Sequence, residues 1–277
     1  MNKLKLFYYK NDPNFGDELS IYAAEKLYGA TEYASRIRCN AVFIGSLIQY
    51  FLTRKNLLVR IFFLLFPPVL VWGAGFISID EKQDRNLFRR LNVYACRGFL
   101  TLERLKKMRW VNIEKNVAVA DPGLLAGLFI DTSDIKKKYD LGVIPHYVDK
   151  DNPLLQKITV ENSTIIDVQE PPESFIRKLA ECKYVIASAM HALIAADSLG
   201  IPNVRMILSD KIMGGDYKYN DYYSAFGLDS HMIIKLAECE FSDINLSDIE
   251  KNYQIEREQI TSLQNALLDV FPYKKKV

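Results

Sequence analysis

Residues 184–204 read YVIASAMHALIAADSLGIPNV. The opening YVIA is apolar and β-branched in the middle, as in a strand buried on both faces. Ser188 and Ala189 form a small-residue turn, and from Met190 the pattern MHALIAADS is that of a helix stopped by Leu-Gly and Ile-Pro. Strand, tight loop and helix in this order predict an α/β fold on parallel strands. His191, one of three histidines in the chain, stands in the first helical turn, where Ser, Asp or Asn would cap better. Position alone leaves a packed imidazole and a reactive one both open.

Working outward, the same alternation recurs. Apolar runs KLKLFYY (3–9), AVFIG (41–45), VLVWGAGF (69–76), NVYACRG (92–98) and VAVADPG (117–123) are interleaved with the helical patterns DELSIYAAEKLYG (17–29) and FLTLERLKK (99–107). Doubly apolar strands separated by amphipathic helices predict parallel βαβ units. The polar stretch IDTSDIKKKYD (130–140) then divides this series from a second one: LGVIPHYV, TIIDVQ, YVIAS and NVRMI, with helices near 172–182 and 190–199. Two domains are expected, 1–134 and 135–245. Apolar residues from Ile249 to Leu268 recur at roughly helical spacing, so residues 246–277 are expected to form a long terminal helix that packs back onto the first domain.

The totals exclude several classes. A chain of 277 residues with 36 Lys+Arg against 34 Asp+Glu carries a formal charge of +2, too little to bind nucleic acid by bulk charge. Cys39, Cys96, Cys182 and Cys239 show no C-x-x-C pair and no zinc-like spacing with histidine, which predicts reduced thiols, no metal and a cytoplasmic setting. The N-terminus lacks a signal peptide's apolar stretch. The run NLLVRIFFLLFPPVLVW (56–72) is broken by Arg60 and Pro67-Pro68, short of the ~20 residues a spanning helix needs. Its expected structure is a buried helix followed by a buried strand, with peripheral membrane contact as the alternative.

In open α/β sheets, ligands sit beyond the carboxyl ends of the strands. The loops there are NDPNFGDE (11–18), GAGF (73–76), RG (97–98), DPG (121–123), PHYVD (145–149) and SAMH (188–191). Asn14 and Asp17 flank a glycine turn that opens a helix, and either cap it or face a ligand. Gly75 lies where backbone approaches something closely; GAGF lacks the third glycine of a dinucleotide fingerprint, and no P-loop motif occurs. Arg97 precedes a helix start, placed either for an ordinary ion pair or to hold phosphate or carboxylate with its forked donors. Asp121 suits a turn cap. Ser188 and His146 complete the set.

These stretches together resemble the polysaccharide pyruvyl transferase family: N-F-G-D-E at 14–18, W-G-A-G-F at 72–76, C-R-G-F-L-T at 96–101, A-D-P-G at 120–123, I-P-H-Y at 144–147 and S-A-M-H-A-L-I-A-A-D-S-L-G-I-P at 188–202. The resemblance implies two Rossmann-like domains facing a cleft, a GT-B-like arrangement with parallel sheets. It also implies transfer of pyruvate from phosphoenolpyruvate onto two hydroxyls of a sugar, giving a ketal in capsule or exopolysaccharide biosynthesis. No further cofactor is implied, and the acceptor is expected to be a lipid-linked sugar at the inner face of the membrane. By the same resemblance His191 and Arg97 are catalytic, while Asn14, Asp17, Gly75, Asp121, His146 and Ser188 bind substrate. One departure stands out: many members carry arginine two residues before the histidine, and this chain has Ala189. Arg205, Lys211 or Lys218 would then have to supply that charge. A nucleotide-sugar glycosyltransferase of the same build and an inactive carbohydrate-binding relative are the alternative readings.

Overall fold

The computed structural model describes residues 4–52, 61–63, 65–79, 87–238 and 244–273. Its strands fall into two parallel sheets. The first holds β1 (Leu4–Leu6), β2 (Thr31–Tyr33), β3 (Ala41–Val42), β4 (Val69–Trp72), β5 (Leu91–Cys96) and β6 (Val111–Val119), in the order β2-β1-β3-β4-β5-β6. The second holds β7 (Tyr139–Ile144), β8 (Ser163–Ile165), β9 (Cys182–Ala187), β10 (Asn203–Ile207) and β11 (Ile233–Lys235), in the order β11-β10-β9-β7-β8. All the ladders between these strands are parallel. The α/β class and the two parallel sheets expected from the sequence are present, and they are consistent with two Rossmann-like domains.

The helices are α1 (Phe15–Leu27), α2 (Phe99–Lys106), the single turn α3 (Ala126–Phe129), α4 (Pro172–Ala180), α5 (Met190–Ser198), α6 (Tyr217–Ser224), α7 (Leu246–Asn252) and α8 (Arg257–Asp269). One apolar core lies between the two sheets and takes residues from both, including Phe15, Leu19, Trp72, Phe175, Leu193 and Ile194. Phe15 of α1 stacks on Phe175 of α4 at 4.1 Å between ring centroids. Fully burying each ring contributes about 2 kcal/mol, and their contact roughly 1 kcal/mol more. Two smaller cores cover the outer faces of the sheets.

Two local expectations are corrected. The terminal segment is two helices, not one long one. The chain between α7 and α8 is held by a capping box, in which the Glu256 side chain and Gln259 satisfy each other's backbone N–H groups, and this starts a new helix. α8 and the residues after it reach the first half: Trp72 Nε1 donates to Leu267 O at 3.1 Å, Gln264 Nε2 to Leu124 O at 2.7 Å, and Phe271 packs on Trp72 and Phe43. Ile249 of α7 belongs to the core of the second sheet. In the apolar run, β4 is fully enclosed, but the helical residues before it are not. Ile61, Phe62 and Leu65 are 48%, 58% and 82% exposed, while Phe63 packs onto Phe88 and Phe66 lies against Phe63 and the Arg89 guanidinium. Residues 53–60 and 64 of that run lie outside the described residues.

Candidate functional site

In each sheet the strand order reverses once, and such switch points open a crevice between loops leading in opposite directions. In the first sheet the reversal lies between β1 and β3, which carry Tyr9 and Asn14 on one loop and Gly45 and Ser46 on the other. In the second it lies between β7 and β9, followed by His146 and Tyr147 and by Ala189, Met190 and His191. All of these residues line one pocket of about 260 Å³. Lys211 and Lys218 close it, and a second cavity of about 480 Å³ shares the wall Lys211–Met213.

On the first wall Asn14 caps α1: its Oδ1 accepts from Gly16 N at 3.1 Å and from Asp17 N at 3.4 Å. Its Nδ2 donates to Asp17 Oδ2 at 2.6 Å. Burial pushes the Asp17 carboxyl up to about 7 even though that bond pulls it down, so the group sits near the midpoint of its titration at neutral pH. Gly16 is where α1 meets the imidazole. A Cβ there would lie 2.1 Å from His191 Nδ1, so only glycine lets helix and ring come this close.

His191 opens α5, and its side chain is 17% exposed. Its Nε2 is buried and lies 3.8 Å from Asp121 Oδ2, and neither atom has a hydrogen-bond partner among the described residues. The other Asp121 oxygen accepts from Gly123 N at 2.8 Å, capping the short helix at 122–125. Burial drives the two groups apart: Asp121 rises to about 7, while His191 falls to about 3 with help from Arg97, Lys218 and His146. The neutral imidazole therefore faces a carboxyl able to hold a proton near neutrality. His146 is likewise held down, to about 4, by burial and by Lys218.

The remaining residues singled out in the sequence stand behind the pocket wall. Arg97 is fully buried: its Nε donates to Asp221 Oδ2 at 2.8 Å, its Nη1 to Ser46 Oγ at 2.8 Å and its Nη2 to Phe76 O. Asp221 also accepts from Thr101 N and Thr101 Oγ1. The guanidinium thus ties α6 to the start of α2 and does not project into the pocket. Gly75 packs against it, since a Cβ there would meet Arg97 Cζ at 2.5 Å. Ser188 is fully buried; its Oγ accepts from His146 N at 2.8 Å and its carbonyl from Tyr219 OH at 2.7 Å. Asn14, Asp17, His146 and His191 are brought together at the pocket, Asp121 stands directly behind the imidazole, and Arg97, Gly75 and Ser188 brace the wall.

Sequence reasoning missed Tyr9, Tyr50 and Tyr147, which line the pocket, and Asp221. It also missed α6 as an element, because YKYNDYYS carries almost no aliphatic residue. The signal was there in tyrosine: Tyr219, Tyr222, Tyr223 and Phe226 are buried at helical spacing. Among the described residues no three His, Cys, Asp or Glu side chains are grouped as a metal cage, and Cys39, Cys96 and Cys182 are free thiols.

The chain is 27% identical over 259 residues to an uncharacterized protein, L143, of Acanthamoeba polyphaga mimivirus, covering 89% of this chain and 82% of that one. It is 23% identical over 229 residues to the succinoglycan biosynthesis protein ExoV of Rhizobium meliloti (strain 1021), covering 81% of this chain and 66% of that one. A crystal structure of a functionally uncharacterized protein from Klebsiella pneumoniae subsp. pneumoniae NTUH-K2044 aligns with a TM-score of 0.43 at 18% identity, covering 79% and 87% of the two chains. The family model for polysaccharide pyruvyl transferase matches residues 4–210, a span that carries both sheet switch points and most of the pocket wall. This chain belongs to the polysaccharide pyruvyl transferase family.

Proposed function

We propose that the chain moves the pyruvyl group of phosphoenolpyruvate onto two hydroxyls of a sugar, closing a cyclic ketal with release of phosphate. The observation that carries this reading is the Asp121–His191 pair, whose facing atoms Oδ2 and Nε2 are buried, 3.8 Å apart and without a hydrogen-bond partner among the described residues, with the imidazole edge turned to a pocket. With the proton of Asp121 on the Nε2 side, the neutral imidazole carries hydrogen on Nδ1, the atom nearest Gly16. That proton goes to the methylene carbon of the donor while Nε2 takes the proton of Asp121. The central carbon becomes cationic and one sugar hydroxyl attacks it, its proton passing to Asp17. The carbon–oxygen bond to phosphate then breaks, the second hydroxyl closes the ring, and its proton leaves with the phosphate.

The pocket's size and lining support this division of labour. About 260 Å³ is near the lower end for small-molecule sites, which start at ~300 Å³, so a three-carbon donor fits and a sugar extends toward the neighbouring cavity. Tyr9, Tyr50 and Tyr147 offer flat amphipathic faces suited to a pyranose. For the lipid-linked acceptor at the cytoplasmic face of a membrane, the support is the exposed group Ile61, Phe62 and Leu65. No helix among the described residues is long and apolar enough to cross a membrane.

The test is mass spectrometry of the acceptor glycan after incubation with isotopically labelled phosphoenolpyruvate. The expected result is addition of one pyruvate ketal, abolished by His191→Ala and by Asp121→Ala. Transfer from a nucleotide sugar with none from phosphoenolpyruvate would overturn the reading.

A further inference from the structure

Three cations come together near this pocket, and their partners differ. Arg97 is paired with Asp221 at 2.8 Å. Arg205 is paired with Asp216 at 2.6 Å and lies 3.8 Å over the ring of Tyr219. Lys218 is 8% exposed and lines the pocket, yet among the described residues its ammonium makes no hydrogen bond or ion pair, only a contact with the Tyr219 ring at 5.3 Å. A buried ammonium without a counter-charge is costly to keep, and two further cations beside it add to that cost.

The same pocket supplies matching donors. The helix α5 begins at the pocket and Ala189, its N-cap, offers no side-chain cap to the first N–H groups. Those groups are the unsatisfied donors of a helix start and carry its positive end. A tetrahedral anion between them and Lys218 satisfies both, in the way that point-charge lysines and helix starts jointly hold phosphate elsewhere.

We propose that Lys218 and the opening N–H groups of α5 form the binding site for the phosphate group of a small phosphorylated donor, in the place left by the arginine absent at Ala189. The assignment rests on the reading of this pocket as the donor site. Arg205 does not fill the role because it lines the neighbouring cavity rather than this one, with its Nη2 on Asp216, and the exposed Lys211 stands at the rim.

Calorimetry at pH 6.5 with inorganic phosphate, phosphoenolpyruvate and pyruvate separates the outcomes. The wild-type chain is expected to bind phosphate and phosphoenolpyruvate, with pyruvate at least tenfold weaker. Lys218→Gln should lose at least tenfold in affinity for the two phosphorylated probes, Lys218→Arg should recover most of it, and Lys211→Gln should cost no more than about threefold. The melting temperature of Lys218→Gln should equal or exceed that of the wild type, since an unpaired buried charge is gone. In the unmutated protein, phosphate should slow reductive methylation of Lys218, followed by peptide mass spectrometry, by at least tenfold. The assignment is overturned if Lys218→Gln binds phosphate within twofold of wild type, if wild type binds no phosphate, if pyruvate binds as well as phosphate, or if methylation is unprotected. Phosphate binding lost in Lys218→Gln with no ketal formed by wild type would leave the phosphate site standing and remove pyruvyl transfer.

Discussion

Replacing Gly16 by alanine separates the position of the imidazole from the stability of the fold. The new Cβ would stand 2.1 Å from His191 Nδ1, whereas ordinary contact starts near 3.4 Å, so helix or ring must yield by roughly 1.3 Å. The backbone raises no objection, because Gly16 is not among the positive-φ residues and alanine is favoured over glycine within helices by about 1 kcal/mol. That gain offsets much of the overpacking cost of about 1–3 kcal/mol, so the net change is expected within ~2 kcal/mol, or within about 8 °C in Tm. Catalysis has no such compensation: displacing a reacting group by about 1 Å costs on the order of 100-fold. The assay is kcat for ketal formation beside a thermal melt. Proton NMR adds a direct readout, because with three histidines the His191 C2 resonance can be assigned and its shift followed. Wild-type kcat with an unmoved His191 resonance would refute the claim that this contact sets the ring.

Removing the carboxylate that holds Arg97, by Asp221→Ala, leaves a fully buried guanidinium unpaired and Thr101 without its acceptor; urea unfolding should show a loss of about 3–5 kcal/mol, and a loss below about 1 kcal/mol contradicts the bracing role. Lys218 predicts a pH signature, since its pKa falls from 10.5 to about 7 on folding through burial, Arg97 and Arg205. The unfolded chain then holds the extra proton between those values, so stability should rise with pH from 7 to 9 by at most about 1.4 kcal/mol per unit. Beyond pH 9 the buried thiols of Cys39, Cys96 and Cys182, pushed above their ordinary 9.0, reverse the trend. Lys218→Gln should flatten the rise, and the same slope in the variant would rule out Lys218 as its source. Vesicle flotation of Phe62→Ser/Leu65→Ser should show weaker membrane association than wild type; equal flotation dismisses that surface as an anchor.

Much of the architecture was written in local pattern. The strands ending at Trp72, Cys96, Ile144 and Ala187 close in apolar residues because both faces are covered there, and α1, α2, α4 and α5 follow from helical spacing between turn residues. Short edge strands such as β2 and β11 left no run long enough to see, and α6 hid behind its tyrosines. At the site, Asn14, Asp17, His146 and His191 were legible as polar residues at strand ends. Arg97 was legible as a residue but not in its surroundings, because its partner Asp221 lies 124 positions away.

Sequence by itself determined the α/β class, the parallel sheets and the strand-end loops where polar groups gather, since periodicity and turn chemistry are properties of neighbours along the chain. Tertiary structure alone decided which of those groups face the pocket. Folding turned Arg97 inward onto Asp221, left Lys218 without a counter-charge among the described residues, and set Asp121 behind His191. Charge compensation and desolvation depend on distances across the fold, between segments that no local pattern brings together.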